Sequence, residues 1–431
     1  MAHIAHNKTL PADLSAPAFV DTWKTKAIVV GVVFCAIAVI FALLDRSAGN
    51  APLDHVLRAW VLGMAFTWGF AVGGLALLMV QYCSGGKYGL VLRRPLEAMS
   101  RTMPLVFLYW VVTAIPAFMD RIYLWARVKD VGAALQAGTI TEIEAHCIAF
   151  KRPMLNPFAY IWVSALCFAI WGLYTWHLNR LSLIRDQQGP ETTPYWIKRF
   201  ENISGPGILV YSVTITAASI YWIMSMDVKW FSTVYGLLYL VEQGFMVLAF
   251  GIIVAIALSK AEPFKTILRQ TEQHDLGKLT FAFVMLNIYL TFGQWIIIWS
   301  GNLPNEINWY LDRIRGHWGI IITLDFIFHW LIPFTMLLSR DLKRNKKRLT
   351  RLCQFMVFAV AFNLFWLIEP SYKDAARNLH FSWGILQYIA VPGAMTAFWV
   401  AYFCMELKKR PLVQVNDPHL EEILEPEHAI A

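Results

Sequence analysis

The chain has 431 residues, of which 58% are hydrophobic and only 15% are charged, and its mean hydropathy is +0.49. Soluble domains carry about a quarter charged residues, so this composition excludes a protein that faces water on all sides. The formal net charge is +8, but the Lys and Arg residues lie in short segments between apolar runs. That arrangement argues against nucleic-acid binding and favours the loops of a membrane protein.

Ten apolar runs follow one another along the chain, and each approaches or exceeds the roughly 17–25 residues that a helix needs to cross a bilayer. We predict an all-α polytopic membrane protein with helices at residues 27–44, 59–82, 103–118, 157–176, 208–226, 234–258, 279–299, 318–338, 352–368 and 383–405. Residues 1–26 and 406–431 are then terminal segments that flank a transmembrane domain at residues 27–405. The third run contains Pro104 and Pro116, which disfavour a continuous helix.

The orientation follows from the basic residues. About two thirds of the 37 Lys and Arg residues fall in segments on the same side as both termini. Because basic residues concentrate in cytoplasmic loops, this distribution predicts that both termini are inside. The longest outer loop then covers residues 119–156, where Thr141 and Glu144 have capping-box spacing and predict a short surface helix.

Ionisable side chains within or beside the apolar runs are the main candidates for function, because each is costly to place in hydrocarbon. Glu242 in the sixth run and His329 in the eighth both lie roughly 16 Å in from the outer interface, at about 1.5 Å per residue. Asp325 lies one turn from His329, and Asp227 lies at the outer end of the fifth run. We interpret these four residues as a proton path. The alternative is that Asp325 and His329 only satisfy each other.

Two further features lie beside these residues. Pro333 has no N–H group and should leave the carbonyl of His329 without its helical partner, which offers a place for water. Neutral polar residues are predicted in the inner half of the same bundle, namely Asn287, Thr291, Gln294 and Asn363. They fit either a hydrated path or hydrogen bonding between helices.

The sequence shows no pattern for a redox centre. The six Cys residues are scattered, and among the eleven His residues only His329 lies at mid-membrane depth, whereas a membrane cytochrome needs paired axial His ligands. We therefore expect no metal or haem bound by this chain. Asp120 and Tyr123, near the outer end of the third run, are the one candidate region for contact with a quinone.

Four motifs occur in order along the second half of the chain. They are SMDVKWFSTVYG at residues 225–236, HDLGKL at 274–279, QWIIIWSGNLPNE at 294–306 and PFTMLLSRDLKR at 333–344. With these motifs the chain resembles the NrfD-like (polysulfide-reductase-type) membrane subunits, and in particular the ActF type found in bacterial alternative complex III. The resemblance extends from the second run to the last.

The resemblance implies two four-helix bundles, formed by the second to fifth and sixth to ninth helices, with flanking helices. It also implies a subunit of a quinol-oxidising respiratory complex in the bacterial inner membrane. The expected partners are a sister NrfD-like subunit, an iron–sulfur subunit and c-type cytochrome subunits, which would hold the haem c and the clusters. Proton conduction by this chain is the role that the resemblance favours, with quinol as the substrate of the whole complex.

Two other classes remain open at this stage. A stand-alone secondary transporter would use broken helices around a central site, and Pro333, Pro392 and the Gly73–Gly74 pair are compatible with such breaks. A structural scaffold within a respiratory assembly is the second alternative. Co-purification separates these classes, because a transporter would purify alone and a subunit would bring cofactor-bearing partners.

Overall fold

The computed structural model describes residues 10–372, 374–375, 379, 382–417 and 419–424. All regular structure in these residues is helical. Nine of the described helices are long and apolar enough to cross a membrane, and a bent pair makes a tenth crossing if it is counted as one. We number the crossings as spans 1 to 10, with bounds Phe19–Ser47, Pro52–Ser84, Tyr88–Ala114 with Pro116–Ile122, Pro157–Asp186, Thr193–Met226, Tyr235–Leu258, Gln270–Gly301, Trp318–Leu338, Lys346–Ser371 and Trp383–Lys408. Short helices cover Leu124–Arg127, Val131–Gln136, Glu142–Lys151, Pro190–Thr192, Phe264–Ile267, Pro304–Ile314, Arg340–Arg344 and Leu420–Leu424.

The prediction of an all-α polytopic membrane protein is therefore confirmed, but several bounds differ. Span 1 begins at Phe19, well before residue 27, and span 10 ends at Lys408, after residue 405. Span 3 breaks at Ile115, whose backbone is extended, and the two halves meet at an angle of 80°. The break has a local cause, since the residue before a proline is pushed out of helical geometry and Pro116 follows Ile115.

Span 8 changes its winding at its centre. The helix is π-helical over Phe326–Leu331, and the N–H of Ile332 bonds to the carbonyl of Ile327, five residues earlier. Pro333 follows directly and cannot donate a backbone hydrogen bond. The wide turn contains His329, which agrees with the expected disturbance of the helix around that residue.

Two four-helix bundles form the membrane domain. Span 2 packs against spans 3 and 5, and span 4 packs against spans 3 and 5, which closes the first bundle. Span 6 packs against spans 7 and 9, and span 8 packs against the same two neighbours, which closes the second. Span 6 also contacts spans 2 and 5 and so joins the bundles, while spans 1 and 10 flank the first one through span 2.

The contact between spans 2 and 6 depends on small residues. A Cβ atom at Gly73 would lie 2.9 Å from the Cβ of Gln243 and from a methyl of Val247, closer than side chains normally pack. Gly74 makes a similar close approach to Met99. Both glycines lie inside the unbroken helix Pro52–Ser84, so this pair allows close packing and does not break the span.

Residues 83–102, which separate the second and third predicted runs, do not form a solvated loop. It contains the helix Tyr88–Ser100, which is buried from Gly89 to its end. Its charged residues are balanced by a C-terminal segment that folds back over the same end of the first bundle. Arg93 pairs with Asp417, and Glu97 accepts hydrogen bonds from Arg94 at 2.7 Å and from Ser182 at 2.6 Å.

The two terminal segments lie at the same end of the molecule, as an even number of crossings requires. The N–H of Leu412 donates to the carbonyl of Leu14 at 2.8 Å, and Lys408 pairs with Asp21. At the opposite end, the capping-box prediction is confirmed: the helix Glu142–Lys151 begins with reciprocal hydrogen bonds between Thr141 and Glu144. This helix covers part of residues 119–156, which are predicted to form an outer loop. We therefore call this end of the molecule the outer end and the end with the two termini the inner end.

Candidate functional site

Glu242 and His329 meet in the centre of the second bundle. Nε2 of His329 lies 3.1 Å from Oε2 of Glu242, and both side chains are buried. Spans 6 and 8 are not direct sequence neighbours, and 87 residues separate the two positions. The phenyl ring of Phe245 stacks on the imidazole with centroids 4.9 Å apart and fixes the plane of the ring.

Two residues of spans 7 and 8 hold the Glu242 carboxylate. The indole N–H of Trp330 donates to Oδ1 of Asn287 at 2.7 Å, and Nδ2 of Asn287 donates to Oε2 of Glu242 at 2.6 Å. Because an indole N–H can only donate, it fixes the oxygen end of the Asn287 amide and turns the amide N–H₂ towards Glu242. Oε2 therefore accepts from both Asn287 and His329.

The other carboxylate oxygen, Oε1 of Glu242, is buried and has no hydrogen-bond partner in the protein. Since Oε2 already accepts two hydrogen bonds, Oε1 is the atom at which a proton or a water has room to bind. Nδ1 of His329 also makes no hydrogen bond of normal geometry, although the backbone carbonyl of Ala359 is close enough to interact with the ring.

Asp325 lies one turn from His329, but its hydrogen bond goes to another helix. Oδ2 of Asp325 accepts from Nδ2 of Asn363 in span 9 at 2.9 Å, while Oδ1 is buried without a partner. The alternative in which Asp325 and His329 only satisfy each other is therefore wrong, because each has a partner on a different helix. Asp325 itself is fully buried.

A cavity of about 80 Å³ leads from Glu242 towards the outer end of the bundle. Its polar lining includes Glu242, Asn287, Thr291, Gln294, Tyr310 and Asn363. Oε1 of Gln294 accepts from Ser232, and its Nε2 donates to Tyr310 at 3.3 Å. Both partners belong to connections at the outer end of the bundle.

The expectation that the neutral polar residues lie in the inner half is therefore wrong. Span 7 runs from the inner end at Gln270 to the outer end at Gly301, so Thr291 and Gln294 lie outward of Asn287 and Glu242. Val284 and Leu337, which lie inward of the pair on spans 7 and 8, are apolar and fully buried. The polar lining extends outward from Glu242.

Asp227 does not share this cavity. It lines a separate outer cavity of about 250 Å³, together with Arg58 and Lys229, and its Oδ1 accepts the backbone N–H of Lys229 at 3.0 Å. The helix Pro304–Ile314 contributes lining residues to both cavities and carries the buried residue Arg313. Burial lowers the pKa of Arg313 to about 10, although the nearby Asp227 carboxylate acts in the opposite direction.

The structure also separates Asp120 from Tyr123, the residues predicted to contact a quinone. Asp120 is about one-third exposed and pairs with Lys129 at 2.7 Å. Tyr123 is fully buried, and its hydroxyl donates to the carbonyl of Trp222 at 3.0 Å. The two side chains therefore do not form one site.

The sequence matches no family model and no curated protein.

Among the described residues, no group of three or more His, Cys, Asp or Glu side chains is arranged to hold a metal ion. Instead, His329 and Asn287 both contact the carboxylate of Glu242, Trp330 donates to Asn287, and a polar cavity adjoins the carboxylate. Sequence reasoning missed Trp330 and Tyr310, because aromatic residues are frequent in every span and give no separate signal.

Proposed function

We propose that this chain is the proton-handling membrane subunit of a quinol-oxidising respiratory complex of the alternative complex III type. In this proposal Glu242 and His329 form its proton site. The observation that carries the proposal is the buried Glu242–His329 contact at the inner end of a polar cavity. Placing an ionisable group at this depth in a membrane costs free energy, so its presence indicates a function, and proton relays are one recurrent function of such groups.

The cavity provides the route to the outer side. One buried water needs roughly 10–15 Å³, so a volume of about 80 Å³ holds a short file of waters between Tyr310 and Glu242. Gln294 and Thr291 line this file and can donate to or accept from its waters. Protons can then pass along hydrogen-bonded waters without a large movement of the protein.

The pair at the end of the cavity holds or releases one proton. A proton that arrives along the waters binds Oε1 of Glu242, since Oε2 is occupied by Asn287 and His329. Protonation removes the negative charge that holds the imidazole, and the contact between Nε2 and Oε2 weakens. When the proton leaves, the charge-assisted hydrogen bond to His329 forms again. Asp325, one turn outward, is a second carboxylate that biases the charge of His329.

The role within a larger complex rests on the resemblance to NrfD-like subunits. The sister NrfD-like subunit, the iron–sulfur subunit and the c-type cytochromes would carry out quinol oxidation and electron transfer, and this chain would carry the coupled protons. The transporter alternative loses one of its arguments, because the Gly73–Gly74 pair lies within an intact helix. Purification from native membranes separates the two proposals, since a subunit brings haem-containing and cluster-containing partners and a transporter does not.

The proposal is tested by quinol-driven proton release from vesicles that contain the intact complex. Glu242→Gln keeps the size of the side chain and removes its titration, so we expect proton release per quinol to fall while the subunit stays assembled. Asp325→Asn should lower proton release less, because Asp325 acts on His329 and does not line the cavity.

Glu142→Gln is the matched control, since Glu142 is an exposed carboxylate in the outer loop. The release is normalised to assembled complex, which separates loss of function from loss of the subunit. If Glu242→Gln and Asp325→Asn both release protons at the control rate, the carboxylates serve only to hold the helices together and the proposal is refuted.

A further inference from the structure

A third and larger cavity lies on the membrane-facing side of the first bundle, on spans that do not carry Glu242. It is a groove of about 790 Å³ between spans 3 and 4, and its polar end reaches the C-terminal end of span 10. Small-molecule sites in proteins range over roughly 300–1,000 Å³, so the groove has the size of a ligand site. It lies at the end of the bundle that contains both termini.

The walls of the groove are apolar and open towards the lipid. Phe107 and Phe168 form one part of the wall, and Phe107 is 38% exposed. Gly172 lies along span 4, and a Cβ atom added there would meet nothing within 4 Å. The neighbouring side chains Leu166 and Leu173 are 60% and 61% exposed, so the groove continues into an apolar surface of the helices.

The end of the groove nearest the termini is polar and positively charged. Three arginines line it (Arg101, Arg180 and Arg410), with one carboxylate, Glu406. Arg101 is held in place by Glu406 at 2.9 Å. Arg410 is held by the carbonyl of Asn179 at 2.9 Å and by the buried carboxylate of Glu97 at 3.3 Å.

Arg180 differs from the other two arginines. It is exposed, it lies over the ring of Trp176 at 5.3 Å, and it has no carboxylate partner among the residues that the structure describes. The groove therefore offers a cation that the protein itself does not pair with a carboxylate.

We propose that this groove binds an anionic phospholipid, with the phosphate at Arg180 and Arg410 and an acyl chain along Phe107, Phe168 and Gly172. A phospholipid matches both parts of the groove, because its charged head group can contact the basic end while its acyl chain contacts the apolar wall. The side of the membrane also agrees, since the basic residues predict that this end faces the cytoplasm, where anionic lipids are enriched and basic pockets between helices recognise their head groups. A soluble anion would leave the apolar wall uncovered, and a neutral quinone would leave Arg180 without a negative partner.

The binding is tested on the full-length protein, purified in a mild detergent and stripped of lipid. Lipids are then added back, and the amount retained per protein is measured by mass spectrometry. We expect phosphatidylglycerol to be retained in preference to phosphatidylcholine with the same acyl chains. Glycerol phosphate, which has the head group without the chains, should compete only weakly. Equal retention of the two lipids, full competition by glycerol phosphate, or preferential retention of an added quinone would each overturn the proposal.

Two variants locate the site. Arg180→Gln should weaken retention of phosphatidylglycerol about fivefold, which corresponds to about 1 kcal/mol per cation near an anionic lipid. The control is Arg199→Gln, because Arg199 lies over Trp196 at the same 5.3 Å but outside the groove. Gly172→Leu keeps every charge and fills the apolar part, so it should reduce retention as well. If Arg180→Gln and Arg199→Gln retain the lipid equally, or if Gly172→Leu has no effect, the lipid binds elsewhere.

Discussion

Trp330→Phe is the substitution that tests the geometry around Glu242 most directly. It keeps an aromatic ring in place and removes the indole N–H that bonds to Oδ1 of Asn287 at 2.7 Å. Asn287 is 4% exposed, so its oxygen would be left buried without a donor. An unsatisfied buried acceptor costs about 1–3 kcal/mol, and the smaller ring adds a cavity term.

A double-mutant cycle isolates the hydrogen bond from the cavity. In Asn287→Leu the acceptor is already absent and the buried indole N–H is left without a partner, so Trp330→Phe should then cost no more than the cavity term. The difference between the two backgrounds should therefore be at least about 1–3 kcal/mol in the free energy of unfolding. Unfolding by denaturant in mixed micelles, followed by far-UV circular dichroism, provides the measurement. Trp299→Phe is the control, because Trp299 is 45% exposed and lies on span 7 at the outer end.

The same substitution has a functional consequence. Without the indole donor, the Asn287 amide can rotate and present its oxygen to Glu242, which would repel the carboxylate. Proton release should therefore fall in Trp330→Phe although no titratable group has changed. If the two substitutions are additive within about 0.5 kcal/mol and proton release is unchanged, Trp330 does not orient Asn287 and the account of the site is wrong.

Two further predictions concern the inner end of the molecule. Burial alone would raise the pKa of Asp417, but Arg93 and Arg185 together hold it below its usual value. The contribution of Asp417 to the free energy of unfolding is therefore complete above its unfolded pKa of about 4 and is lost as the pH falls through the lowered pKa. Protease should cut the C-terminal segment of the wild type only in acid. In Asp417→Asn it should cut the same segment already at neutral pH. Equal protease resistance of the two proteins at pH 7 would contradict this. Reporter tags at both termini should give signals from the cytoplasm, and a signal from outside at either terminus would reverse the side to which the Glu242 cavity opens.

The sequence was sufficient to predict the spans, because each span is a long apolar run whatever its neighbours are. It also marked the third run as the least secure span, because of Pro104 and Pro116, and predicted the capping box at Thr141. Both inferences depend on local geometry alone. The partner of His329 could not be predicted in this way. Asp325 is its neighbour on the same helix, but the rotation of spans 6 and 8 about their axes decides the contact and brings Glu242 to the ring.

The helix Tyr88–Ser100 shows the same limit. Its Arg and Glu residues gave it the composition of a solvated cytoplasmic loop, so no buried helix was predicted. The residues that balance its charges are far away in sequence: Asp417 is 324 positions from Arg93. A short stretch of sequence that is read for its composition cannot contain both Arg93 and Asp417. The sequence does place Glu242 and His329 at similar depth, and that depth was the useful signal for the candidate site.

The pairing of Arg93 and Arg185 with Asp417 has a consequence for biogenesis. Spans 2 to 5 are synthesised long before the carboxylate that neutralises these two arginines, since Asp417 lies 324 positions after Arg93 and 232 positions after Arg185. Until then the first bundle has two cations at its inner end without this partner, and a buried charge without its counterion is strongly destabilising. Synthesis must therefore proceed to Asp417 before the inner end of the first bundle is neutralised.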